Sequence, residues 1–177
     1  MVEKLILDEK RLALTLKRLA QQIVEQHRDI SQLVLVGIQP RGVWMANRIL
    51  QLLQEENPAC KPALGKLDIS FYRDDVRQDA TIKSYTTEMQ FPIADKKVIL
   101  IDDVLYTGRT IRAALDALLA FGRPAKVELM VLIDRKFSRD LPIHADFVGQ
   151  AVDTFNQQKV KVKWKEKDGV DAVIAVE

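Results

Sequence analysis

The sequence predicts an α/β fold: a mostly parallel, twisted sheet flanked by helices, with a C-terminal β-hairpin. Three observations carry that expectation. Short runs dominated by branched apolar residues, at Leu33–Ile38 (LVLVGI), Val98–Ile101 (VILI) and Val127–Ile133 (VELMVLI), read as buried strands. Between them, apolar residues recur every three or four positions, as on one face of a helix. The tail alternates strictly over Lys159–Lys165 (KVKVKWK) before a turn and a last apolar run. Strands that alternate with helices build a parallel sheet covered on both faces.

Taken in order, Asp8 is placed to cap a first helix, whose Leu12, Leu16, Leu19 and Ile23 step by four, three and four. The strand at Leu33–Ile38 is broken by Gln39-Pro40-Arg41-Gly42. Val43, Ala46, Ile49, Leu50 and Leu53 then give a second helix that ends near Asn57-Pro58. Leu67–Tyr72 (LDISFY) reads as a further strand. Arg73–Met89 is polar and aperiodic, and a loop of that length in a compact domain is usually functional, so a flexible lid is expected over 73–89. After the strand at Val98–Ile101, a helix over Thr110–Phe121 presents Ile111, Ala114, Leu115 and Leu118 on one side, with Gly122 placed to stop it. Lys167-Asp168-Gly169 is the turn of the terminal hairpin, and Ala172–Val176 its second strand.

A chain of 177 residues, 47% of them hydrophobic, suits a single domain over 1–177 with a real core. Its net charge of +2 creates no global field toward nucleic acid, and no DNA partner is expected. The single cysteine, Cys60, leaves no internal disulfide framework and fits a reducing compartment. No apolar signal region opens the chain, and no apolar run approaches the roughly 20 residues of a spanning helix, so a cytoplasmic location away from membranes is expected.

The chemistry concentrates in VILIDDVLYTGRT. Asp102 and Asp103 fall at the carboxyl end of a strand, where α/β sheets bind ligands. Leu105–Thr110 then crosses into a helix N-terminus, whose unpaired N–H groups and dipole favour an anion. Gly108 lets backbone approach a ligand, Thr107 and Thr110 offer hydroxyls, and Arg109 offers charge. Acids beside a phosphate cradle make sense if the ligand carries phosphate at one end and hydroxyls at the other, as a sugar phosphate does. Carboxylates accept hydrogen bonds from a diol, hold Mg²⁺ through water, and stabilise a ribosyl centre that becomes cationic when its leaving group departs. The plainer alternative is a capped strand-to-helix turn with two solvated acids. A Walker loop and a dinucleotide fingerprint are both absent.

This stretch closely resembles the signature by which type I phosphoribosyltransferases bind phosphoribosyl pyrophosphate (PRPP). With Leu105-Tyr106 in it, it is similar to the PyrR family, pyrimidine-operon attenuation regulators that are also uracil phosphoribosyltransferases. Leu7-Asp8-Glu9, Val36-Gly37-Ile38 with Arg41-Gly42, Asp68-Ile69 with Tyr72-Arg73-Asp74-Asp75, Gly122-Arg123-Pro124 and Leu141-Pro142-Ile143 resemble that family in the same order. The resemblance implies the type I phosphoribosyltransferase fold and transfer of phosphoribosyl from PRPP to uracil, giving UMP and pyrophosphate. It implies Mg²⁺, held mainly by the substrate, with Asp102 and Asp103 reaching it through water. It assigns Asp102 and Asp103 to catalysis, and Leu105, Tyr106, Thr107, Gly108, Arg109 and Thr110 to the 5-phosphate. Pro40, Arg41 and Gly42 go to pyrophosphate, in a loop that carries an unusual cis peptide in the family. Arg73, Arg77 and Lys83 go to the lid. The base is placed near Ile133, Arg135 and Val160, read largely by backbone groups. For the pyrophosphate and lid segments, an ordinary turn and a solvated charged loop are the plainer readings.

Purine members of the superfamily carry an acid where this chain has Tyr106, so the tyrosine argues against a purine substrate; the alternative is that it only packs. The resemblance also implies a homo-oligomer, dimer or tetramer, and a pyrimidine-operon leader RNA bound on a basic face when UMP is present, with Lys136 and Arg139 as contacts. His144 stands where the family has arginine, and Ala151-Val152-Asp153-Thr154-Phe155 departs from the pattern, which weakens the RNA expectation. The alternating lysines of the tail, with Trp164 among them, form either an RNA platform or the wet face of an edge strand. His27, at the end of the first helix, is expected on the surface. A nucleotide-sensing RNA regulator with little catalysis and a purine phosphoribosyltransferase are the alternative functions.

Overall fold

The computed structural model describes residues 3–59, 61–73, 84–153 and 158–176. Its elements are β1 (Glu3–Leu7), α1 (Glu9–Gln26), β2 (Leu33–Ile38), α2 (Arg41–Glu56), β3 (Ala63–Leu67), β4 (Lys97–Leu105), α3 (Arg109–Leu119), β5 (Lys126–Arg135), β6 (Phe147–Val152), β7 (Lys159–Lys163), α4 (Lys165–Asp168) and β8 (Ala172–Val176). Five strands form a parallel sheet in the order β3-β2-β4-β5-β6, and three form a second sheet in the order β1-β8-β7. The parallel register sets Val34 beside Val98 and Ile101 beside Met130, so the carboxyl ends of β2, β4 and β5 reach one edge.

Side-chain alternation along these strands explains the two covered faces. Leu35, Ile99, Ile101, Met130 and Leu132 pack with Leu12, Leu16, Leu19 and Ile23 of α1 and Met45, Ala46, Ile49 and Leu53 of α2. Val34, Val36, Val98, Leu100 and Val131 point the other way, onto Ile111, Ala114, Ala117 and Leu118 of α3. Asp8 caps α1 as its sequence position suggests, accepting from the Arg11 N–H at 2.7 Å. The expected helices and buried strands are all present. β4 and β5 run further toward their carboxyl ends than their apolar cores alone indicate, and that extension carries both acids inside a strand.

Three features differ from expectation. The strand read at Leu67–Tyr72 lies earlier, at Ala63–Leu67. Asp68 diverts the backbone there: its Oδ1 accepts from the Ser70 N–H at 3.1 Å and the Ser70 hydroxyl at 2.6 Å, and the Tyr72 N–H turns back to the Ile69 carbonyl. β1 and β6 escape the sequence reading. β1 is short and mostly exposed, and it is held by antiparallel pairing with β8 at the far end of the chain, which turns the expected hairpin into a three-stranded sheet. The hairpin connection is itself longer than a tight turn, with one helical turn at Lys165–Asp168 closed by Gly169 at φ +72°. Lastly, His27 is buried, not on the surface. Its Nε2 lies 2.8 Å from Glu128 Oε2, while Glu128 Oε1 accepts from Lys126 Nζ at 2.7 Å. Removing the imidazole leaves a buried carboxylate short of a partner. His27→Ala is therefore expected to lower the free energy of unfolding by about 2 kcal/mol, read by denaturant titration, with turnover unaffected because the pair sits at the opposite end of the sheet from the acids.

Candidate active site

The site is assembled where β2 and β4 end. Asp102 and Asp103 are 8% and 7% exposed, and the Asp103 N–H donates to Asp102 Oδ1 at 2.9 Å. Asp103 Oδ2 is buried and has no hydrogen-bond partner among the described residues. Among the described residues it is ion-paired with Arg41, whose Nη1 is 3.6 Å away, too long for a hydrogen bond. Burial pushes the Asp102 carboxyl well above the usual range and the neighbouring Asp103 charge adds to this, while Arg73 pulls the other way. Burial also pushes Asp103 up, opposed first by Arg41. Two buried, adjacent acids with a spare acceptor form a site that gains by taking hydroxyl donors or a cation.

Arg41 opens α2, directly after a cis peptide at Gln39–Pro40. Gly42 brings that helix start against β4: a Cβ there would overlap the Ile101 carbonyl oxygen, one residue before the acids. The turn is tied to the edge strand, since the Gln39 N–H donates to the Leu67 carbonyl at 2.9 Å and its Nε2 to the Thr86 carbonyl at 3.1 Å. Asp68 clasps the same region. Its Oδ2 accepts from the Tyr85 N–H at 3.1 Å, and its own N–H donates to Thr87 Oγ1 at 3.0 Å. Sequence reasoning missed Gln39 and Asp68 in this role. The only available signal was the Asp-x-Ser spacing of an Asx turn at Asp68.

Beyond the acids, Gly108 sits at φ +93° as the N-cap of α3 and offers no side-chain cap. The one side-chain oxygen that meets the first turn of α3 among the described residues is Thr107 Oγ1, which accepts weakly from the Arg109 N–H at 3.4 Å, so this helix start can still take an anion. A pocket of about 330 Å³ opens here, lined by Arg73 and by Val104 through Ile111. It brings together the whole expected phosphate loop, Leu105 to Thr110, and adds Arg73 to it. The loop is held from behind, since the Thr107 carbonyl accepts from the Asp140 and Leu141 N–H groups at 3.0 and 3.2 Å. Arg109 Nε pairs with Asp140 Oδ2 at 3.1 Å.

The structure sorts the remaining expected residues. The Arg135 guanidinium stacks 3.9 Å from the Tyr106 ring centroid, and its Nη2 donates to the Gln158 carbonyl at 2.8 Å. Ile133 is wholly buried in the core, and its backbone is paired with Val104 on one side and Gln150 on the other. Val160 lies half-buried on β7, paired with Ala175. Arg139, expected to contact RNA, instead turns inward. It donates to the carbonyls of Ile143 at 2.9 Å, Arg135 at 3.0 Å and Tyr106 at 2.5 Å, and it pairs with Asp134. That fully engaged fork builds the loop behind Tyr106. Lys136 is exposed. Arg77 and Lys83 lie outside the described residues, as do Thr154, Phe155 and Cys60.

The family model described as Phosphoribosyl transferase domain matches residues 4–167. A "Bifunctional protein PyrR" of Desulfosudis oleivorans is 48% identical over 172 residues, 96% of this chain and 93% of that one. A "Bifunctional protein PyrR 2" of Lactiplantibacillus plantarum is 45% identical, with 97% of this chain and 98% of the relative covered. The chain belongs to the PyrR family of phosphoribosyltransferases. Solved structures extend the likeness at the level of fold. A hypoxanthine phosphoribosyl transferase of Trypanosoma cruzi superposes with a TM-score of 0.75 at 16% identity, covering 98% of this chain and 91% of its own. A hypoxanthine phosphoribosyltransferase of Staphylococcus aureus gives 0.70 at 20% identity, covering 96% and 90%. In this PyrR-family chain the sheet edge thus presents a buried acid pair, a glycine-led helix start and an arginine turn side by side.

Proposed function

We propose that this chain transfers the phosphoribosyl group of PRPP to uracil, giving UMP and pyrophosphate. The observation that carries the reading is the buried Asp102–Asp103 pair beside the glycine-led start of α3, with Tyr106 between them. The N–H groups at Gly108–Thr110 and the hydroxyls of Thr107 and Thr110 receive the 5-phosphate. Asp102 and Asp103 accept from the ribose hydroxyls and stabilise positive charge that builds at the ribosyl carbon. Arg41, with Pro40 and Gly42, receives pyrophosphate, and Arg73 adds charge from the pocket wall. The base lies between the ends of β4 and β5, near Ile133, Tyr106 and Arg135, with β7 around Val160 across from it.

Mg²⁺ fits this arrangement, because Asp103 Oδ2 is a buried acceptor with no hydrogen-bond partner among the described residues and only a long ion pair to Arg41. Asp102 and Asp103 would hold it through water, with the substrate's phosphates as the main ligands. When bound, the ion neutralises the pyrophosphate that departs. Tyr106 supplies no carboxylate to exchange a proton with a purine ring, and a pyrimidine that reacts at a ring nitrogen needs none. Incubation with PRPP, Mg²⁺ and labelled uracil is expected to yield UMP, with no nucleotide formed from adenine or hypoxanthine. Nucleotide from hypoxanthine alone would assign the chain to purines.

A second activity, UMP-dependent binding of a pyrimidine-operon leader RNA, draws support from the word "Bifunctional" in its relatives' names and from exposed Lys136, Lys159 and Lys161. Exposed His144 and inward-facing Arg139 weaken that surface. A homo-oligomer and a cytoplasmic location complete the proposal. No helix among the described residues is long and apolar enough to cross a membrane.

A further inference from the structure

We propose that Arg48 is a positioning residue for the base: it pins the sheet β1-β8-β7 to α2 and so sets the distance between the base and the pyrophosphate turn. The inference rests on the uracil-transfer reading. Arg48 lies seven residues beyond Arg41 on α2, so both fall on the same face of the helix, two turns apart. Arg41 faces Asp103. Arg48 faces the connection between β7 and β8.

Its guanidinium forks onto Asp171, with Nη1 to Oδ2 and Nη2 to Oδ1 both at 2.8 Å. The same group reaches Glu166, with Nε to Oε1 at 3.0 Å and Nη2 to Oε2 at 2.8 Å. The plane lies 4.8 Å from the ring centroid of Trp164, which is fully buried. Asp171 Oδ1 also accepts from the Lys165 N–H at 2.8 Å, so the connection is folded around the arginine. The start of β7 is held separately, by the bond from Arg135 to the Gln158 carbonyl while Arg135 stacks on Tyr106. β7, which carries Val160, is thus suspended between α2 and the ends of β4 and β5. One suspension point runs to the phosphate loop, the other to the helix that carries the pyrophosphate turn.

The geometry requires arginine. A lysine keeps the charge but cannot fork onto one carboxylate, reach a second and stack on an indole at once. Among the described residues, Arg48 bonds to Asp171 and Glu166 and stacks on Trp164, away from the acid pair and the phosphate loop, so its loss should shift the base and leave PRPP binding in place.

The test compares Arg48→Lys and Arg48→Met with the unaltered chain, varying uracil and PRPP separately. KM for uracil is expected to rise roughly tenfold while KM for PRPP stays within about twofold. Amide hydrogen exchange in β7 and β8 should accelerate by about tenfold or more, with β2 and β4 unchanged. A parallel rise in both KM values, or β7 and β8 exchanging at their original rates, would overturn the proposal. Failure of the uracil reading shows separately, as no UMP from the unaltered chain. In that case the exchange rates still decide whether Arg48 anchors the sheet, without any turnover.

Discussion

Asp103→Asn is expected to lower kcat/KM for PRPP by a factor of about 10² to 10³ and, at the same time, to raise the melting temperature. Both effects have one origin. Asp103 is buried next to another acid, and Arg41 approaches Oδ2 only to 3.6 Å. An amide keeps the shape but removes the negative charge that, in the proposed reaction, accepts from the ribose and faces the ribosyl cation. A loss of 10² to 10³ corresponds to about 3–4 kcal/mol of transition-state stabilisation, the scale of one well-placed electrostatic group.

Stability moves the other way because the pair holds its protons more tightly in the folded state than in the unfolded chain. Such groups give stability at low pH and lose it as pH rises from the ordinary carboxylate range through the raised folded values. At neutral pH the folded chain therefore carries a penalty that Asp103→Asn relieves. For the same reason, PRPP affinity should increase as pH rises through that window, since the pair must shed its proton to take Mg²⁺ or charge. Thermal melts and PRPP titrations of both proteins across the acid range check all of this. A variant with unchanged kinetics would remove Asp103 from the reaction.

The second large effect is expected at Gly42→Ala. The added methyl group would overlap the Ile101 carbonyl, which is backbone inside a buried strand and cannot give way. The start of α2 must move instead, carrying Arg41 away from Asp103 and opening the turn proposed to receive pyrophosphate. A displacement on the order of 1 Å at a positioning element lowers the rate by about 10². The overpacking itself should reduce stability by roughly 1–3 kcal/mol. Kinetics in the reverse direction, from UMP and pyrophosphate, locate the defect: the KM for pyrophosphate should rise much more than that for UMP. A rise confined to UMP would place pyrophosphate elsewhere.

Much of this could be read from the chain, and the boundary has physical causes. β2, β4 and β5 were legible because strands buried on both faces are written as apolar runs, and the phosphate loop because Thr-Gly-Arg-Thr follows such a strand into a helical stripe. Asp102 and Asp103 were legible as acids at a strand end, but their burial was not: it follows from β4 continuing to Leu105 under the start of α2. β1 was illegible because its partner β8 is remote in sequence, so nothing local marks it. The displaced third strand shows a side chain, Asp68, winning over an apolar pattern. His27 looked like a surface residue because its partners, Glu128 and Lys126, come from β5. The inward turn of Arg139 likewise depends on carbonyls that only the folded loop presents. Arg48 had no sequence signal at all, since Asp171, Glu166 and Trp164 reach it from the opposite end of the chain.

Whether the acid pair holds the ribose while the start of α3 holds its phosphate is decided by a crystal structure of the chain with UMP. The phosphate is expected on the N–H groups at Gly108–Thr110, the ribose hydroxyls on Asp102 and Asp103, and the base between Tyr106, Arg135 and β7. UMP bound with its phosphate elsewhere, or with its ribose turned away from the two acids, would contradict this assignment.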